Sequence, residues 1–321
     1  MAVKQLLTSM KYTIKNYVHL FIFVHRDTTM KFYIVDVFTQ EKYAGNQLAV
    51  FIEKGVLSTQ QMQKIAKEIN YSETTFITST DIREGGYDVR IFTPEQELPF
   101  AGHPTLGTAY ILQKEIIKLA VNQILLNLQV GQIPVTLHYL NDSVAELWMQ
   151  QKPPSYHQTF AADALAQVLN LDSTEIDARY PIQEVSTGIP FIIVPLKTHS
   201  SLKRIKINRD KYFELVSHTK AKAILVFCPE TNKSEDDLSV RVFADAVGVP
   251  EDPATGSANG CLAGYLVKYA YFGADSVDLR VEQGYEIGRP SLLLLKAQQT
   301  NTEIEVFVGG SVVMVASGEF I

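Results

Sequence analysis

The chain has 321 residues, 46% of them hydrophobic and 20% charged, which is enough apolar material for about two domains with buried cores and excludes a disordered chain. Twenty-nine basic against 35 acidic side chains leave a net charge of −6, which argues against nucleic acid as a partner of the whole surface and favours a small-molecule site. Two cysteines, Cys228 and Cys261, make no disulfide framework, lack C-x-x-C spacing, and fit a reducing, cytoplasmic compartment.

At the amino terminus the most lipid-like run, Tyr17 to Val24, is interrupted by His19 and too short to span a membrane. Lys4, Lys11 and Lys15 precede it as in a signal peptide, but no small-x-small cleavage site follows and Arg26-Asp27 closes the run. Residues 1–29 therefore read as an extension without function, and no membrane partner is expected. From Met30 the chain starts afresh with strand chemistry, and turn signals at Ala44-Gly45-Asn46, Glu84-Gly85-Gly86 and Val130-Gly131-Gln132 imply many strands. Ser58 with Gln61 is a capping-box pattern, and Met62, Ile65, Ala66 and Ile69 then fall at helical spacing. Tyr71 to Ile77 follows as a strand. The paired prolines of Lys152-Pro153-Pro154-Ser155 force extended backbone, which sets a predicted boundary between domains 30–150 and 151–321. Beyond it, Leu165, Val168 and Leu169 mark a further helix, and Gln283 to Ser291 a turn leading into a strand at Leu292 to Leu295.

The two halves resemble each other. Arg90-Ile91-Phe92 recurs as Arg241-Val242-Phe243, Ala101-Gly102-His103 as Thr255-Gly256-Ser257, and Gly45 to Val50 as Gly188 to Ile193. Three pairs in the same order, at offsets of about 150 residues, favour an internal duplication over chance likeness, and two related domains would enclose a cleft.

Within the repeat, Gly102 and His103 stand at the start of a small-residue helix, where free amides and the helix dipole favour an anion. Gly256 and Ser257 hold the same place in the second half, preceded by Asp252-Pro253. Alone, His103 would be a helix-capping histidine and Asp252 a turn residue; their matched placement makes both candidates for function. Alternation puts Tyr71, Glu73, Thr75 and Ile77 on one face. Glu73 then either meets solvent from an edge strand, the commoner fate of a carboxylate, or sits partly desolvated with a raised pKa, equipped to give and take a proton. Phosphate-loop, dinucleotide, zinc-protease and nucleophile-elbow motifs are missing. His138 and His157 read as structural, Cys261 as a packed small hydrophobe, and Arg289 as a solvated loop residue more readily than a substrate contact.

Together these residues resemble the PhzF family of phenazine-biosynthesis isomerase-like proteins. The likeness is carried by Val35-Asp36-Val37-Phe38 with Gly45-Asn46, Ser72 to Phe76, Phe100 to Thr105, Glu251 to Ala258, and Gly288 to Ser291. It implies an α+β, diaminopimelate-epimerase-like fold of two pseudo-symmetric domains, each a β-barrel-like sheet around a central helix, with the site between them. It also implies a homodimer with no metal and no organic cofactor. By the same resemblance Glu73 is the proton shuttle, His103 and Asp252 assist, and Gly102, Gly256 and Ser257 bind a substrate carboxylate. The related epimerases use two opposed cysteines; here those places hold Ala101 and Thr255, which points to one-base transfer through Glu73. The implied reaction is a cofactor-independent isomerisation of the type undergone by trans-2,3-dihydro-3-hydroxyanthranilate. An epimerase or racemase acting on an amino-acid derivative and a non-catalytic small-acid-binding protein stand as the alternatives.

Overall fold

The computed structural model describes residues 29–53, 55 and 57–321; the Tyr17 to Val24 run lies outside the described residues. The first half runs β1 (Met30–Val37), β2 (Asn46–Ile52), α1 (Thr59–Ile69), β3 (Glu73–Ile77), β4 (Tyr87–Phe92), β5 (Glu97–Leu98), α2 (Gly102–Ile111), β6 (Gln123–Leu128), β7 (Gly131–Leu140) and β8 (Ser143–Gln151). The second runs β9 (Ser155–Phe160), α3 (Ala162–Leu169), β10 (Ile182–Ser186), β11 (Pro190–Pro195), α4 (His199–Arg204), α5 (Arg209–Ser217), β12 (Ala223–Cys228), β13 (Leu238–Ala244), β14 (Val249–Asp252), α6 (Gly256–Lys268), β15 (Ser276–Gln283), β16 (Ser291–Gln299), β17 (Ile304–Gly310) and β18 (Val312–Phe320).

Pairing repeats between the halves. β1 and β2 are antiparallel, β2 and β3 parallel, β3 and β4 antiparallel, and β4 and β6 parallel. The same sequence of directions holds for β10, β11, β12, β13 and β15. Each fourth strand also carries a short antiparallel flap, β5 on β4 and β14 on β13. β9 pairs with β10 within the second half, while the last strand, β18, returns to the first half to pair with β1. β8 and β17 join the two halves directly. The duplicated Arg-Ile/Val-Phe triplets lie at equivalent positions on β4 and β13, so the repeat read in the sequence is a repeat of structure.

Each half wraps its sheet around one helix. Every residue of α2 is buried, and so is α6 from Gly256 to Val267. A helix enclosed on all sides needs no polar stripe, but it needs small residues where the sheet comes close. A Cβ on Gly107 would lie 2.6 Å from Leu48 Cδ2 and 3.0 Å from Val37 Cγ2, both on fully buried side chains. Gly107→Ala is therefore expected to destabilise the fold by about 1–3 kcal/mol, because the wall cannot give. Urea unfolding checks this, and a neutral or stabilised variant would show that the wall yields.

Outer helices cover the other faces. α1 starts with the capping box that the sequence predicts: Gln61 N donates to Ser58 Oγ at 3.3 Å and Ser58 N to Gln61 Oε1 at 2.9 Å. It lays Met62 and Ala66 on an aromatic layer of Phe51, Phe76 and Phe92. α3 and α5 similarly cover β10, β11 and β12. Among the described residues no helix is long and apolar enough to cross a membrane.

Candidate active site

The two enclosed helices begin beside each other. A methyl placed on Gly102 would lie 3.2 Å from the Ser257 amide nitrogen and 3.3 Å from Gly256 Cα, so the first turns of α2 and α6 meet where the halves join. The first-turn amides of a helix have no intrahelical acceptor and carry its positive dipole end. Two such ends together favour a negatively charged group between the halves. Gly102, Gly256 and Ser257 are thus brought together as their repeat positions imply.

Glu73 opens β3, which lies between β2 and β4 with Glu73 opposite Leu48. It is not on an edge strand, which corrects the commoner expectation for a carboxylate on this face. Its side chain is 18% exposed, and Oε2 lies 3.5 Å from His103 Nε2. Neither atom has a hydrogen-bond partner among the described residues. Burial, assisted by the charge of Asp252, lifts the Glu73 carboxyl to about 8. Burial drives His103 down to about 3, with only partial relief from the Gln47 backbone. The contact is therefore not an ion pair at neutral pH. It is a protonated acid facing a neutral imidazole whose Nε2 is an open acceptor.

Asp252 ends β14. Burial raises its carboxyl to about 6, against the pull of hydrogen bonds from Thr255 and Asn46. Thr255 Oγ1 donates to Oδ2 and Asn46 Nδ2 to Oδ1, the latter at 3.0 Å. Gln283 Nε2 holds the backbone of the same residue, donating to the Asp252 carbonyl at 2.8 Å and to Thr255 Oγ1 at 3.0 Å. At pH 7 the site thus contains an ionised Asp252, a protonated Glu73 and a neutral His103, which is a complement for moving one proton at a time.

A family model described as phenazine biosynthesis-like protein, PhzC-PhzF, matches residues 35–318. The chain belongs to this family. The trans-2,3-dihydro-3-hydroxyanthranilate isomerase of Pseudomonas aeruginosa is 32% identical to it over 302 residues, covering 90% of this chain and 98% of that protein. A PhzF-family phenazine biosynthesis protein of Bacillus anthracis superposes with a TM-score of 0.84 at 26% identity, over 92% of this chain and 99% of that one. A hydroxyproline epimerase of Agrobacterium vitis shares the fold alone, with a TM-score of 0.63 at 8% identity over 91% of each chain. This PhzC-PhzF protein is an isomerase, and the fold and family that the motifs suggest are confirmed.

In this family member some residues near the site differ from their sequence reading. Arg289 is not a solvated loop arginine: its side chain is 20% exposed and its Nη2 lies 2.6 Å from Asp36 Oδ1. Asn46, Thr255 and Gln283, the donors that surround Asp252, were not among the candidates. The signal that could have found Asn46 was its presence in the Gly45-Asn46 motif, where it reads as a mere turn residue. His138 pairs with the half-exposed Glu146 at 3.7 Å, and Cys261 is fully buried. Among the described residues no group of three or more His, Cys, Asp or Glu side chains is placed to hold a metal.

Proposed function

We propose that this protein is a general acid/base isomerase that needs no cofactor and moves a proton within a small carboxylate-bearing substrate of the trans-2,3-dihydro-3-hydroxyanthranilate type. The observation that carries the reading is Glu73, a buried carboxyl that keeps its proton at neutral pH, facing a histidine nitrogen without a hydrogen-bond partner among the described residues, beside two converging helix starts. The amides of Gly102 and Gly256 and the hydroxyl of Ser257 would bind the substrate carboxylate. Glu73 would deliver its proton to one ring carbon, and the resulting carboxylate would take the proton from another. One C–H bond forms and one breaks, no electrons leave the substrate, and Glu73 ends as it began. His103 Nε2 would hold the protonated acid before the first transfer and after the second, and Asp252 would orient the substrate. Fixed geometry substitutes here for proton exchange with solvent. The names of the relatives support this substrate type, and the carboxylate is the feature that the two helix ends explain.

The test is an NMR time course of trans-2,3-dihydro-3-hydroxyanthranilate with the wild-type protein in D₂O. Isomerisation is expected, with kcat/KM falling above about pH 8 as Glu73 loses its proton and below about pH 6 as Asp252 gains one. Activity that rises through pH 8 would reverse the order of the two transfers. No conversion would remove this substrate, and deuterium entry with unchanged connectivity would favour an epimerase.

A further inference from the structure

Both side-chain amide hydrogen bonds of Asn46 cross from the first half to the second. Its Nδ2 donates to Asp252 Oδ1 at 3.0 Å and to the Ala254 carbonyl at 2.8 Å, and the residue is 1% exposed. The backbone that carries it is held by the loop between β15 and β16. Gly45 N donates to the Pro290 carbonyl at 3.0 Å. Arg289 Nε donates to the Gly45 carbonyl at 3.0 Å, and its Nη2 to the Ala44 carbonyl at 2.7 Å and to Asp36 Oδ1 at 2.6 Å. The other Asp36 oxygen accepts from Tyr43 N at 2.7 Å. Residues 43–45, which lead into Asn46, are therefore gripped on both sides by one ion pair, 2% exposed at Asp36 and 20% at Arg289.

We propose that Asn46 is a positioning residue for Asp252, and that the Asp36–Arg289 pair is the clamp that fixes Asn46 across the junction of the halves. The proposal rests on the assignment of Asp252 and Glu73 to the proton-transfer site. A carboxylate held by one amide hydrogen and one hydroxyl has its plane fixed, so its charge bears on Glu73 from a set direction. The titratable group facing Asp252 is Glu73; Asn46, Thr255 and Gln283 meet it as neutral donors. The clamp has no hydrogen bond to Asp252, yet it links the two halves through the loop that leads into Asn46, whose side chain does. Arg289 is thereby assigned a role in holding this loop, to which its Nε and Nη2 donors are committed through Asp36, Ala44 and Gly45.

The test reads Asp252 directly. The ¹³C carboxyl resonance of Asp252, assigned by its loss in Asp252→Asn, is titrated in the wild type, in Asn46→Ala and in the double variant Asp36→Asn/Arg289→Met. The midpoint is expected to rise by about one pH unit in Asn46→Ala, because a donor that favours the charged form is gone. It is expected to rise by at least half as much in the double variant, which removes the clamp without changing the net charge. With the dihydroanthranilate substrate, both should lower kcat about tenfold and change KM by less than about threefold. Should Asn46→Ala fail to fold, Asn46→Ser removes the same amide and leaves a small polar side chain. An unmoved midpoint in the Asn46 variant, whatever the change in melting temperature, overturns the positioning role. A shift there with a wild-type midpoint in the double variant overturns the clamp. A wild type that turns over nothing while both midpoints move defeats the functional reading and leaves this inference standing.

Discussion

Glu73→Gln is expected to lower the rate of proton transfer by about a thousandfold or more while leaving substrate binding within a fewfold of the wild type. General acid/base groups contribute about 10²–10⁴ in rate, and here the same carboxyl serves both transfers, so its loss falls at the upper part of that range. Glutamine keeps the size and polarity of the side chain and can still meet the open His103 nitrogen as a donor. The helix starts at Gly102 and Gly256 are untouched by it. The loss therefore belongs in kcat, and a loss confined to KM would move Glu73 from the chemistry to the binding of substrate. Single-turnover NMR in D₂O, with a separate binding isotherm, distinguishes the two.

The same substitution has a consequence for stability with a definite sign. Glu73 carries its proton to about pH 8 in the folded protein, against an ordinary value of 4.5. Between those values the folded state binds one proton more than the unfolded state, so stability falls as pH rises across the window. The contribution is complete below about pH 4.5 and is gone above about pH 8. Glutamine cannot ionise, so the variant lacks this slope. Its melting temperature should draw above that of the wild type progressively from pH 5 to pH 8, by several degrees at the upper end. An offset equal at both pH values would place the Glu73 carboxyl in an ordinary solvated setting.

How much of this was legible in the sequence depends on the range of the interactions involved. The capping box of α1 involves residues three apart, and it forms as the Ser58 and Gln61 pattern predicts. The starts of α2 and α6 were legible because a duplicated motif marks them twice. The side on which Glu73 points was legible from alternation, but not its burial: that depends on β2 and β4 flanking it, which is a matter of pairing. Arg289 shows the same limit more sharply, since its partner Asp36 is 253 residues away and the local run of Gly288, Arg289 and Pro290 reads as an open turn. The return of β18 to the first half left no local trace either, because a strand's own residues do not specify which half supplies its neighbour. The short helices α4 and α5 escaped for a different reason. Their caps, Thr198 and Asn208, are followed by mostly polar residues with little apolar periodicity to extend the signal.

The duplicated arginines offer a prediction in which one half of the molecule serves as the control for the other. Arg90 and Arg241 each make a bidentate pair with a glutamate on the adjoining flap, at 2.7 and 2.6 Å to Glu97 and at 2.8 and 2.7 Å to Glu251. Each also lies over a phenylalanine two residues on, at 5.1 and 4.9 Å. Their surroundings differ. The Arg90 pair is 27% and 18% exposed and the Arg241 pair 8% and 12%. Arg241 Nη1 further donates to the Leu202 and Ile205 carbonyls, closing the end of α4. Removing one partner of a buried pair leaves the other charge without compensation, at a cost of about 3–5 kcal/mol, and two buried carbonyls lose a donor as well. Arg241→Met is therefore expected to destabilise the protein by at least that range. Arg90→Met should cost about 1–2 kcal/mol, because water can reach the orphaned Glu97. Replacing Arg241 and Glu251 together, Arg241→Met with Glu251→Leu, should recover part of the loss, since the closer carboxylate is then no longer stranded and only Glu286, 4.0 Å from Arg241 Nε, loses its partner. Denaturant unfolding of the three variants decides the matter. Equal costs for Arg90→Met and Arg241→Met would mean that the symmetry of the pairs outweighs their difference in burial. A double variant as unstable as Arg241→Met would place the loss in what both variants share, the unclosed end of α4 with its two carbonyls and the unpaired Glu286, and not in a stranded Glu251.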